Sequence, residues 1–272
     1  MALALRATLR AYPTMLRVGL AEAIAYRAET IVWMLTNTMP LVNLALWSAV
    51  ARNNPIGNFQ QKDLVAYFLA ALIVRQLTGS WVLWELSREI RMGLLSMRLL
   101  RPIHPLFAYS AENLAALPLR AGFAVPLALI VLAVSGVGRL AHDPLIWLIL
   151  LCAIIGAWLI TYFSMIMMGA LGFFIEQSIS VFELWLAAFF TLSGYLFPLD
   201  FLAAHAPRVM HIAKLLPFYV MNGYPVELML GLHDRASALS ILGLQWTYVV
   251  VLGTGAILAW NAGMKRYNAY GA

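Results

Sequence analysis

Residues 145–171 read LIWLILLCAIIGAWLITYFSMIMMGAL, a run without one charged side chain. A helix that crosses a membrane needs about 20 mostly apolar residues. This run exceeds that length, and it is apolar throughout rather than alternating at period two. It therefore reads as a membrane-spanning helix and not as a barrel strand.

Working outward, five further stretches qualify, giving predicted spans at 30–51, 64–84, 119–137, 145–171, 178–196 and 238–260. The composition agrees. Of 272 residues, 63% are hydrophobic and only 11% charged, whereas soluble domains carry about 25% charged residues. Twelve acids and 18 bases cannot cover a water-exposed surface of this size, which excludes a soluble enzyme, a disordered chain and a disulfide scaffold. The single Cys152 leaves no internal bridge. The fold class expected is all-α, a polytopic membrane protein forming one membrane domain over 1–272.

The opening MALALRATLRAYP spreads Arg6 and Arg10 and has no apolar core before Pro13. Residues 1–29 are therefore expected as a lead-in rather than a cleaved leader. Pro13 is expected to open a short helix. Leu16, Leu20 and Ile24 then recur on one face with Arg17 off it, the pattern of an N-terminal interfacial helix. With the N-terminus inside, the inner segments and span ends hold Arg6, Arg10, Arg17, Arg27, Arg88, Arg91, Arg98, Arg101, Arg120, Lys265 and Arg266. The outer ones hold Arg52, Lys62, Arg139, Arg208, Lys214 and Arg235. The excess places both termini in the cytosol by the positive-inside rule. The net charge of +6 then reads as an orientation signal, with no nucleic acid as partner.

Polar residues inside spans mark helix contacts or a pathway. The first span carries Asn37 and Asn43 around Pro40, which is expected to kink it. The second carries Arg75 and Gln76 near mid-depth, with no embedded acid to pair them. Thr191 and Ser193 close the fifth. These six are the candidate pathway residues, and glue between helices is the plain alternative.

The inner segment 85–106, ELSREIRMGLLSMRLLRPIHPL, mixes charge with an apolar stripe. Gly93 is a break, and Pro102 and Pro105 stop a short helix that carries Leu95 and Leu99 on one face. Glu85 and Glu89 sit among arginines as salt-bridge partners. Such a helix suits either a groove on a soluble partner or the lipid headgroups. Residues 197–237 are too apolar for a free loop and too proline-rich to span, so they read as short helices dipping into the outer leaflet. Phe197, Pro198, Pro217 and Phe218 mark their turns. No GxxxxGK[ST], HExxH or CxxC occurs, so neither a nucleotide nor a metal is expected on this chain.

The segment Ser193-Gly194-Tyr195-Leu196-Phe197-Pro198-Leu199, followed by Pro207, Leu215-Leu216-Pro217-Phe218, Pro225 and Gly231, resembles the C-terminal signature of type-2 ABC transporter permeases. The segment from Arg88 to Pro102 resembles a six-span bacterial branch of that family. The resemblance implies an exporter permease in the bacterial cytoplasmic membrane. It also implies a second permease chain, identical or related, and separate ABC ATPase subunits that hold ATP and Mg. Residues 85–106 would be the coupling segment, with Glu89, Arg91, Gly93, Leu95, Arg98 and Leu99 as ATPase contacts. Residues 197–237 would be the outer re-entrant pair. An ion-driven carrier and a structural subunit of a larger membrane complex are the alternatives.

Overall fold

The structure, a computed structural model, describes residues 2–26, 28, 31, 32, 35, 38–52, 55–135, 139–175 and 178–267. It is helical, with no strand among those residues. In chain order the helices are α1 (Ala2–Ala25), α2 (Met39–Val50), α3 (Gln61–Thr78), α4 (Val82–Arg91), α5 (Leu95–Leu99), α6 (Pro105–Ala115) and α7 (Leu117–Ser135). Then follow α8 (Pro144–Ala170), α9 (Ser178–Leu192), α10 (Pro207–Leu215), α11 (Pro217–Met221), α12 (Gly223–Met229) and α13 (Arg235–Met264).

Among the described residues four stretches are long and apolar enough to cross a membrane: Gln61–Arg91, Pro105–Val134, Pro144–Phe173 and Arg235–Met264. At about 1.5 Å per residue the 27 residues of α8 reach well beyond the roughly 30 Å of hydrocarbon. The expected span 30–51 lies partly outside the described residues; its second part is α2, 12 residues with Pro40 in the first turn. The regular helix of the expected span 178–196 is shorter, because α9 has 15 residues and ends before Gly194. Two other readings also change. Helix α1 begins at Ala2, so Pro13 lies inside it; the Ala- and Leu-rich opening favours helix before the proline is reached. Pro105 opens α6, with the His104 side chain accepting the Leu106 N–H at its start.

Helix α3 is the buried centre of the bundle, while the stretch Pro105–Val134 is buried mainly over α6 and bares much of the second half of α7. Leu64, Tyr67, Phe68, Ala71 and Val74 of α3 pack on α2 and α12. Ile149, Leu150, Ala153 and Ile160 of α8 meet Phe189 of α9, Val249 of α13 and the short helices after α9. Helices α8 and α13 run side by side, and Gly156 leaves room for Gln245, whose Nε2 donates to the carbonyls of Ala153 (2.9 Å) and Val220 (2.7 Å).

Charged contacts sort the connections into two ends. At one end Arg235 Nε donates to Asp143 Oδ2 at 2.6 Å, tying the starts of α8 and α13. That bond holds the Asp143 carboxyl below its usual range. Arg139 pairs with Asp63 at 3.6 Å there, and Ala141 N–H donates to the Met229 carbonyl at 2.9 Å. At the other end Tyr267 Oη donates to the Gly93 carbonyl (3.1 Å) and accepts from the Ser96 N–H (3.2 Å). Arg266 lies over the Phe174 ring, and Tyr12 of α1 meets Ser110 of α6 at 3.0 Å. The described segments predicted from charge to share a side therefore gather at one end of the bundle.

Candidate functional site

The end that carries α5 is built around one guanidinium. Glu85 and Glu89 are four residues apart on α4 and share a face. Glu112 comes from α6. Arg98 of α5 donates to Glu85, to Glu89 at 2.9 Å and to Glu112 at 2.7 Å. Its guanidinium also lies 4.3 Å over the Tyr109 ring, and the Tyr109 hydroxyl donates to Glu89 at 2.5 Å. Burial opposes the Arg98 charge. The hydrogen bond and charge of Glu112, with the charge of Glu85, outweigh it and leave the group more basic than usual. A planar fork of five donors suits three carboxylates where a lysine would not.

Gly93 makes the break before α5. Its φ is +71°, a conformation that only glycine adopts without cost, and its carbonyl is held by Ser96 Oγ at 2.7 Å and by Tyr267. Leu95 turns inward and is fully buried among Leu86, Ile90 and Tyr109. The opposite side is bare: Met92, Leu94, Met97, Leu99 and Leu100 are exposed, Leu100 at 82%. Of the six proposed coupling residues, the structure turns Arg91 and Leu99 outward. It keeps Glu89, Leu95 and most of Arg98 inside, where they brace the helix.

The candidate pathway residues do not form one group. Arg75 is buried, with its guanidinium 5.1 Å over the Phe189 ring, and among the described residues it pairs with no carboxylate. Gln76 is buried beside it in sequence. Asn37 lies outside the described residues. Thr191 is exposed and its hydroxyl donates to the Ala187 carbonyl at 2.9 Å.

Asn43 and Ser193 belong to a different construction. The stretch Ser193 to Pro198 is a non-helical turn with three carbonyls freed by the end of α9. Each is capped by a side chain from α2 or α3: Tyr67 Oη to Gly194 (2.7 Å), Asn43 Nδ2 to Tyr195 (3.1 Å) and Trp47 Nε1 to Leu196 (2.8 Å). Gly194 has φ +80°, and a Cβ there would stand 2.6 Å from Tyr67 Oη. Freed carbonyls at membrane depth need such partners, so this turn is a joint between the first half of the chain and the last. Trp47 also meets Phe197 edge-on at 6.4 Å.

Beyond the turn, Pro198 precedes a 3-10 turn over Leu199–Leu202, and Pro207 and Pro217 open α10 and α11. The segment is the run of short helices expected of it, and Phe218 meets Trp185 of α9 at 5.9 Å. A polar cluster lies inside it. Buried Glu227 accepts from Tyr219 Oη (2.6 Å), contacts His233 Nε2 (2.9 Å) and stands 3.5 Å from Lys214, which also holds Asp200 at 2.8 Å. Glu227, Glu112, Tyr109 and Tyr67 were not singled out from sequence. For Glu112 the signal was present: it is the sole acid in the stretch Pro105–Val134.

A family model described as an ABC-2 family transporter protein matches residues 37–271. The chain belongs to the ABC-2 transporter family. That match covers both the α5 end and the Gly194 turn, and leaves α1 outside it. No curated protein matches the chain. As an ABC-2 membrane protein the chain is a multi-pass permease subunit of an ABC transporter. It is the transport subunit and not the ATPase, and its partners are ABC ATPase subunits. Membership sets aside the ion-driven carrier.

Proposed function

We propose that this permease works in an ATP-driven exporter of the bacterial cytoplasmic membrane. Two permease chains, alike or related, would enclose the pathway, with the α5 end and both termini in the cytosol. The ATPase pair would dock under α5 and hold the ATP and Mg that this chain, with no phosphate-binding loop in its sequence, is not expected to bind. ATP-driven closure of the ATPases would move the two α5 helices together and tilt the permease halves.

The observation that carries this reading is the contrast across α5. A helix of five residues has little stability of its own, yet here one side is clamped by Arg98 and Leu95 while the other presents bare Met97, Leu99 and Leu100. Rigid support behind an exposed apolar patch is what transmits a push from a soluble groove into the bundle. Met97→Asp with Leu100→Asp changes only the exposed side. The double variant is expected to keep the melting temperature and membrane yield of the parent and to lose permease-dependent stimulation of the ATPase in proteoliposomes. Undiminished stimulation would refute the docking role of α5.

A further inference from the structure

A cavity of about 630 Å³ opens beside α4 at the α5 end, enclosed by α4, α6, the start of α7 and Ile179 of α9. Its lining divides by charge. Arg88, Arg91 and Arg120 stand along it, and among the described residues none of them pairs with a carboxylate. Arg91 Nε donates to its own helix at the Ser87 carbonyl. Arg120 donates to the carbonyls of Gly79 (2.8 Å) and Asn113 (3.2 Å), which fixes its guanidinium on the wall. Glu85 and Glu112 complete the lining. They are bound to Arg98, but Arg98 is one cation shared among three carboxylates, which leaves carboxylate oxygens beside the cavity for a further cationic partner. Trp81 and Trp84 supply apolar, aromatic surface at the same cavity.

We propose that this cavity holds a zwitterionic amphiphile. Its phosphate or carboxylate would sit on Arg88, Arg91 and Arg120, its ammonium on Glu85 and Glu112, and its tail along Trp81 and Trp84. An anion alone would satisfy the guanidinium groups and face Glu85 and Glu112. A cation alone would do the reverse. A headgroup with both charges answers both sets, and Trp81 and Trp84 on the same lining suit a ligand with a tail. Arg120 continues the cationic line inward, since the Gly79 carbonyl it holds lies one turn beyond buried Arg75, whose own carbonyl accepts the Gly79 N–H at 3.0 Å. As a substrate class this rests on the exporter reading; as a binding site it stands on the lining alone.

The full-length, delipidated permease separates the two. Binding of dioctanoyl phosphatidylethanolamine, dioctanoyl phosphatidylglycerol and dioctanoylglycerol is measured by native mass spectrometry. Phosphatidylethanolamine is expected to bind about tenfold more tightly than either, each of which lacks one charge or both, a difference equal to about one charge-assisted contact. Arg88→Gln with Arg91→Gln alters two exposed residues and is expected to remove most of that preference. Lys265→Gln with Arg266→Gln removes the same charge elsewhere at that end and is expected to leave it. Equal binding of the three lipids, or equal effects of the two double variants, would overturn the site. O-Phosphoethanolamine binding as tightly as the lipid would overturn the amphiphile assignment. A failure of the exporter reading appears in the ATPase assay and leaves these affinities unchanged.

Discussion

Arg98 shows how one side chain can carry a whole contact surface. In sequence it is an ordinary arginine on the polar side of a short helix, and the natural expectation is that it points toward a partner. In the structure it points inward because three carboxylates reach the same spot from α4 and α6, and no other cation among the described residues forms an ion pair with them. Removing it leaves those acids partly buried and uncompensated. Arg98→Leu is expected to cost about 3 kcal/mol, read as a fall in melting temperature in detergent, together with faster proteolysis at residues 92–101. An unchanged melting temperature would show that solvent already screens the cluster. Gly194 is the opposite case, legible from sequence as part of a signature but silent on its reason. The reason is geometric: a left-handed turn against Tyr67 Oη leaves no space for a Cβ. That neighbour is 127 residues away in the chain, and no local pattern points to it.

At the scale of elements, periodicity was a good guide to which side of a helix is apolar and a poor one to which apolar side is covered. Leu95 and Leu99 sit on the same predicted stripe. Leu95 is fully buried and Leu99 exposed, because α5 has five residues and only its first turn reaches the cleft between α4 and α6. The distinction makes a test. Leu95→Asp places a carboxylate among Leu86, Ile90 and Tyr109 beside an existing acidic cluster, and is expected to reduce folded yield sharply, whereas the exposed-side variants Met97→Asp and Leu100→Asp are not. Similar yields for both would mean that α5 is not packed as described. The first and fifth spans were also legible as apolar runs, but their lengths were not. In the fifth, the regular helix stops after 15 residues, before Gly194, and the carbonyls of the turn that follows are satisfied by side chains of α2 and α3.

For the whole molecule, alternate connections meet in space: Arg235 with Asp143 at one end, Tyr267 with Gly93 at the other. The proposed orientation then has a direct reading. In a background with Cys152→Ser, Leu100→Cys is expected to be labelled by an impermeant maleimide only from the cytosolic side, and Arg139→Cys only from outside. The reverse pattern would invert the permease. The candidate pathway residues are dispersed through the bundle. Asn43 turned out to cap a turn, Thr191 to bond to its own helix, and Arg75 to lie under Phe189. Polarity at depth reports that a residue avoids lipid, and it does not say whether the shelter is a joint or a channel.

The central claim is that this chain is one half of a machine whose energy comes from an ABC ATPase seated on α5. Purification of the tagged, full-length permease from its native membrane, with quantification of co-purifying chains, tests it most directly. A P-loop ATPase is expected in numbers equal to the permease chains, and is expected to be lost in the Met97→Asp, Leu100→Asp variant. Recovery of a folded, monodisperse permease with no ATPase in stoichiometric amount would contradict it.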